Sequence, residues 1–240
     1  MNKSNNSQFI ENDQKLMTDA VNYRKYLYSL IEPYINGDVL EVGSGIGNIT
    51  EAVLRNKASA IKTLFCIEPQ RLCIKSLQTL SNKYKGKVNI IEGSFPSSVP
   101  NKHFNCIYSF NVLEHIENDY IALKTHYNLL SAGGYICLFV PAFPMLFGSM
   151  DHYLQHHRRY RKTQLSKQLK DAGFTIVSSR YCNITGFFGW FINNRILKIT
   201  SQKRGQIYIF DKFILPIQST FEKLIPPPIG QNLFIVGKKN

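Results

Sequence analysis

The sequence predicts an α/β protein built on one doubly wound, seven-stranded, mostly parallel sheet. Three observations predict it. Short β-branched runs alternate with longer amphipathic segments, the rhythm of strands joined by crossover helices. Seven such runs can be drawn, which fits a single open sheet. The first run passes through Gly43-Ser44-Gly45-Ile46-Gly47 straight into a helical segment, the strand-turn-helix that opens a ligand-binding sheet.

In chain order, Asp19 to Ile31 has the apolar spacing of a helix, and Val39 to Val42 is the first strand. Asn48 to Asn56 reads as the helix after the glycine loop, Thr63 to Ile67 as the second strand, and Gln70 to Lys83 as an amphipathic helix. Val88 to Ile91 and Cys106 to Ser109 are strands three and four. Asn118 to Leu130 is the next helix and Tyr135 to Val140 the fifth strand. Thr163 to Ala172 is a helix that stops at Gly173, a suitable residue just past a helix end. Thr175 to Arg180 and Asn232 to Val236 complete the sheet. Two stretches break the rhythm, Pro141 to Lys162 and Asn183 to Gly230, and long excursions of that kind usually carry function. The polar residues 1–18 are expected to fray, leaving 19–240 as one domain with insertions at 141–162 and 183–230.

With 44% apolar and 19% charged residues, the composition is that of a folded globular chain, not of a disordered one. No apolar run is long enough to span a bilayer and no signal-peptide core is present, so a cytoplasmic location is expected. The five cysteines include no CxxC and are read as reduced core residues. The net charge of +13 is unevenly placed. Residues 1–149 hold 14 Lys/Arg against 12 Asp/Glu, whereas residues 150–240 hold 15 against 4. Such basicity attracts phosphates on nucleic acid, on lipid headgroups or on a substrate.

Glycines in the first loop permit a tight turn and let backbone approach a ligand. Glu68 closes the second strand, 21 residues after Gly47, where a carboxylate can accept from both ribose hydroxyls. Together these features imply an adenosine-containing ligand. A nicotinamide dinucleotide needs another glycine where this chain has Asn48, and its pyrophosphate would be opposed by the charge of Glu41. A cationic cofactor without phosphate fits better.

On these residues the chain resembles the class I S-adenosylmethionine-dependent methyltransferases. That family's first motif is an acid two residues before a glycine-rich turn, here Glu41 before Gly43, Ser44, Gly45 and Gly47. Its second acid matches Glu68, followed by Pro69. The run Phe104 to Ile116 is similar to its fourth-strand motif, and Leu130-Ser131-Ala132-Gly133-Gly134 to its turn before the fifth strand. The resemblance covers about residues 20–180 and implies a Rossmann-like sheet with an antiparallel last strand. It also implies S-adenosyl-L-methionine as cofactor, S-adenosyl-L-homocysteine as product, and cofactor contacts from Ser94, Phe95 and Asn111. Where the family often has Gly-Asp, this chain has Gly93-Ser94, and Asn105 stands at a usual Asp.

Methyl transfer from a sulfonium is an in-line displacement that needs a base only if the acceptor must lose a proton. His115, a candidate base, lies at the end of the fourth strand beside Glu114, a pair similar to that of metal-assisted quinone O-methyltransferases. Their further acid is replaced here by Asn111, so no resident metal is expected. The run Asp151 to Lys162 concentrates titratable and cationic groups and is similar to a segment of bacterial enzymes acting on cell-surface saccharides and lipid-linked products. Arg158 and Arg159 can clamp a phosphate there, with His157 or Tyr160 serving the acceptor hydroxyl. Phe187 to Leu197 is the most apolar stretch outside the sheet, and Trp190 within it is placed at the acceptor. With Lys198, Lys203 and Arg204 the segment 183–204 can also lie at the inner membrane face.

The reading is a methyltransferase acting on a small-molecule or lipid-linked acceptor, amphiphilic and bearing a saccharide or phosphate. The alternatives are an RNA methyltransferase, suggested by the basic C-terminal part, and a cofactor-binding protein without catalysis. Neither the Asn/Asp-Pro-Pro-aromatic signature of base N-methylation nor the Pro-Cys of cytosine C5 enzymes is present, so nucleic acid is not the expected partner.

Overall fold

The computed structural model describes residues 18–198 and 204–240. Expectations for residues 1–17 and for Lys203 lie outside the described residues. The elements are α1 (Val21–Ile31), β1 (Gly37–Val42), α2 (Asn48–Lys57), β2 (Ile61–Glu68), α3 (Arg71–Lys83), β3 (Val88–Glu92) and β4 (Phe104–Phe110). They continue with α4 (Asp119–Leu129), β5 (Leu130–Pro141), α5 (Ser149–Tyr153), α6 (Lys162–Ala172), β6 (Thr175–Cys182), α7 (Ile184–Trp190), α8 (Arg204–Ile209), α9 (Leu215–Leu224) and β7 (Asn232–Lys238). The strands form a seven-stranded sheet of order β3-β2-β1-β4-β5-β7-β6. β1 pairs parallel with β2 and β2 with β3, while β7 is antiparallel to both β5 and β6.

The described residues fall into two compact units, one reaching Tyr108 and including the segment that ends at Leu215, the other starting at Ser109 and resuming at Pro216. In the first unit Val39 and Leu40 of β1 and Leu64 of β2 are fully buried. Val53 and Leu54 of α2 and Leu77 of α3 join them in the core. The N-terminus of α1 has no side-chain cap of its own. Asp211, distant in sequence, supplies one: its carboxylate accepts from the backbone N–H of Asn22 at 3.2 Å and of Tyr23 at 2.7 Å.

In the second unit Asn118 caps α4 by accepting from the N–H of Ile121, and α6 ends at Gly173 with φ of 111°, as its sequence predicts. Helical pieces that the sequence pattern does not announce, α5 and α7 to α9, appear in the insertions. α5 is short, and α7 runs on into a π-helical turn, Phe191–Ile196. The N-terminus of α7 is held from outside, because Glu222 accepts from the N–H of Asn183 and of Ile184 at 3.2 and 3.0 Å. All five cysteines are buried free thiols.

Losing a cap that satisfies two helix N–H groups costs on the order of 1 to 2 kcal/mol. Asp211→Ala should therefore lower the urea midpoint by that equivalent, and Asp211→Asn by less, with the slope of the transition unchanged.

Candidate active site

In the first unit β1 ends against the glycine loop. The N–H groups of Gly43 and Ser44 both donate to the Ile67 carbonyl, and Gly47 donates to Ser44 before α2 starts. Gly47 has φ of 89°, a conformation that favours glycine, and a Cβ there would also press on Leu80 Cδ1 at 2.5 Å. Glu68 braces the turn from β2. Its Oε2 accepts from Gly45 N–H at 2.7 Å and its Oε1 from Gln70 N–H at 2.9 Å. Burial pushes its pKa up, against these two donors. A carboxylate has about four acceptor sites, so lone pairs remain beyond the two in use. Pro69 and Ser94 are exposed beside it, and Phe95 is buried.

Glu41 is not the open charge facing a ligand that its place before the glycine loop suggests. It is buried, accepts from Thr50 Oγ1, and ties β1 to α2. Burial, with repulsion from Glu68, pushes its pKa up to about 8 despite that hydrogen bond. Asn105 also has a structural task, since its Oδ1 accepts from Asp38 N–H at 2.9 Å.

In the second unit the run from Asp151 folds around that residue's own carboxylate. Asp151 is fully buried, and Oδ1 accepts from Arg159 Nε at 2.7 Å and from His156 Nδ1 at 2.9 Å. Oδ2 accepts from Gly148 N–H at 3.0 Å and from Asn194 Nδ2 at 3.1 Å. Burial alone would raise its pKa, but hydrogen bonds from His156 and Arg159 prevail and hold it low. Asn194, in the π-helical turn, also accepts from Met150 N–H and donates to the Leu146 carbonyl. Asp151, His156 and Asn194 are the residues that sequence reasoning leaves unassigned. The signal available for two of them is the Asp151 to His156 spacing within one charged run.

Both arginines are paired with acids within the protein. Arg159 is 3% exposed, paired with Asp151, bonded to the Ala142 carbonyl and stacked 4.8 Å over the Trp190 ring. Arg158 pairs with Asp119 at 2.9 Å and donates to the Glu117 carbonyl. Tyr160 is likewise withdrawn from any acceptor: it is fully buried, with its hydroxyl on Asp119 Oδ2 at 3.1 Å and near the Leu113 carbonyl. Trp190 lies half-buried under the Arg159 guanidinium. His157 keeps an exposed ring while its N–H donates to the Glu114 carbonyl. Asn111 follows β4 with φ of 51° and is exposed.

His115 packs edge-on against His156, ring centroids 4.7 Å apart. Its outer edge reaches solvent, yet surrounding protein and the neighbouring histidine push its pKa down to about 4, so it is neutral near pH 7. Glu114 beside it is fully buried, and neither carboxylate oxygen has a hydrogen-bond partner among the described residues.

Similarity to known proteins puts these features in context. Residues 13–179 match a family profile described as a methyltransferase domain. A SAM-dependent methyltransferase from Thermotoga maritima superimposes with a TM-score of 0.64 at 14% identity, covering 98% of this chain and 97% of that one. One from Clostridium acetobutylicum gives 0.58 at 12% identity over 94% and 92% of the two chains. Phosphoethanolamine N-methyltransferase 2 of Haemonchus contortus in complex with S-adenosyl-L-methionine gives 0.59 at 13% identity, covering 90% of this chain and 52% of that one. No curated protein matches the chain.

Because Glu68 both braces the loop and has lone pairs to offer, Glu68→Ala should weaken S-adenosylhomocysteine binding by about 1.5 to 3 kcal/mol in calorimetry. Arg159→Ala leaves Asp151 buried beside an unfilled site and should cost about 3 to 5 kcal/mol of stability in urea unfolding. A phosphate clamp would instead give loss of turnover with stability kept.

Proposed function

We propose that this chain, which belongs to the methyltransferase-domain family, transfers a methyl group from S-adenosylmethionine to an amphiphilic acceptor, small or lipid-linked. It is an enzyme, and S-adenosylmethionine is its methyl donor. For the donor site the reading rests on the loop Gly43 to Gly47, braced by Glu68, with Ser94 and Phe95 following the next strand. Glu68 offers lone pairs to the ribose hydroxyls, and the loop lets backbone approach the amino-acid end. In the transfer, the acceptor's lone pair forms a bond to the methyl carbon as the carbon–sulfur bond breaks. The sulfur keeps that electron pair and S-adenosylhomocysteine leaves. An acceptor hydroxyl or ammonium also gives up a proton, and the exposed ring of His157 is the side chain we assign to receive it.

The observation that carries the acceptor class is the surface of α7 and its π-helical turn. Phe188 is 55% exposed, Ile192 48%, Ile196 61% and Leu197 58%, with Arg195 and Lys198 on the same segment. Contiguous exposed apolar residues flanked by cations suit an amphiphile or the headgroup region of an anionic membrane. Among the described residues no helix is long and apolar enough to cross a membrane, so this contact would be peripheral.

The purified protein, given S-adenosylmethionine labelled in its methyl group and a membrane lipid extract, should place label in the organic phase. Ile192→Asp with Ile196→Asp should cut that transfer by about tenfold or more, the effect of losing about 1.4 kcal/mol of apolar contact, with S-adenosylhomocysteine affinity unchanged. Label confined to water-soluble products, or transfer untouched by the double variant, would reject the amphiphilic acceptor.

A further inference from the structure

Seven carboxylates are buried among the described residues: Glu41, Glu68, Glu114, Asp119, Asp151, Asp211 and Glu222. Six of them accept hydrogen bonds. Glu114 accepts none from another described residue, an arrangement that favours either the neutral acid or a bound cation. A bound cation is one group that could take the place of those donors.

The neighbours of Glu114 suit such a cation. Asp151 can only accept, so the short contact to His156 fixes the histidine proton on Nδ1 and leaves a lone pair on Nε2. That Nε2 faces Glu114 Oε1 at 4.0 Å. His115 offers a third donor, and one ligand atom from each of the three residues lies within 4.8 Å of the others. Donors around a zinc ion sit about 2.0 to 2.2 Å from it and hence roughly 3.3 to 3.5 Å apart, so these need draw together by only about an ångström. We propose that Glu114, His115 and His156 form a site for a divalent d-block ion such as zinc.

The surroundings match such a site in three ways. Asp151 orients the His156 ring from behind, and its four hydrogen bonds fix its own position, the outer-shell support that metal-binding histidines use. Two imidazoles and one carboxylate prefer zinc or iron(II) to magnesium or calcium, which favour all-oxygen sets. His115 is exposed, so an ion could enter from its side. Arg159, the nearest cation, is held by Asp151 and the Ala142 carbonyl. Asn111, the position where a further acid was sought, takes no part. This site is independent of which acceptor the enzyme uses.

Cobalt(II) chloride is a suitable probe, because in a tetrahedral or five-coordinate site its visible bands are intense. The metal-stripped full chain should bind about one equivalent with such a spectrum, and zinc should raise its melting temperature by mass action. Glu114→Gln and His156→Ala, each checked by circular dichroism, should weaken binding by about 100-fold or more, and Asp151→Asn by about 10 to 100-fold. His157→Ala, one residue away, should bind normally. Glu114→Gln keeps the shape of the side chain and should fold at least as well as wild type without metal, while losing the stabilisation by zinc. A wild-type protein that gives no cobalt spectrum and no zinc stabilisation, or variants that bind like wild type, would overturn the site.

Discussion

A carboxylate removed from water has to be given donors, and this fold is organised by meeting that demand. An unpaired buried charge costs several kcal/mol, so each buried acid pins whatever segment supplies its hydrogen bonds. Glu68 pins the glycine loop through Gly45 N–H, and Glu41 pins the following helix through Thr50. Asp211 and Glu222 hold the starts of α1 and α7 from far along the chain. Asp151 gathers a loop backbone, an arginine, a histidine and the π-helical asparagine onto four lone pairs. These contacts join irregular segments that have no ladder or helix of their own, which is where a side-chain acceptor has most effect.

Function follows from how those acids are used within each unit. In the first, Glu68 holds the glycine loop and keeps lone pairs beyond the two in use. In the second, the arginines of the basic run are spent on Asp151 and Asp119. The second unit exposes the apolar surface of Phe188 to Leu197, and it buries Glu114 beside His156, with His115 exposed.

Much of this was legible in the sequence, and the division follows the range of the interactions. All seven strands and the helices after the glycine loop and around Gly173 came from local periodicity and from turn chemistry, which act within a few residues. Glu68 could be placed at the end of the second strand, beyond the glycine loop, because a parallel β-α-β unit fixes their separation. Asp151 could not be read as a hub, because its donors His156, Arg159 and Asn194 become neighbours only once the insertions fold. For the same reason Arg159 and Tyr160 looked like surface chemistry: a cationic or phenolic side chain in a charged run gives no local sign that a buried acid will claim it. The π-helical turn that delivers Asn194 to Asp151 has no periodic signature at all.

Central to this reading is a methyl donor seated on a loop held by a buried acid, and amide hydrogen exchange tests it residue by residue. Adding S-adenosylhomocysteine to the purified chain should slow exchange at Gly43 to Gly47, at Gln70 and around Ser94 and Phe95, whereas NADH at the same concentration should leave them unchanged. Equal or greater protection by NADH, or protection by S-adenosylhomocysteine that spares the loop, would contradict it.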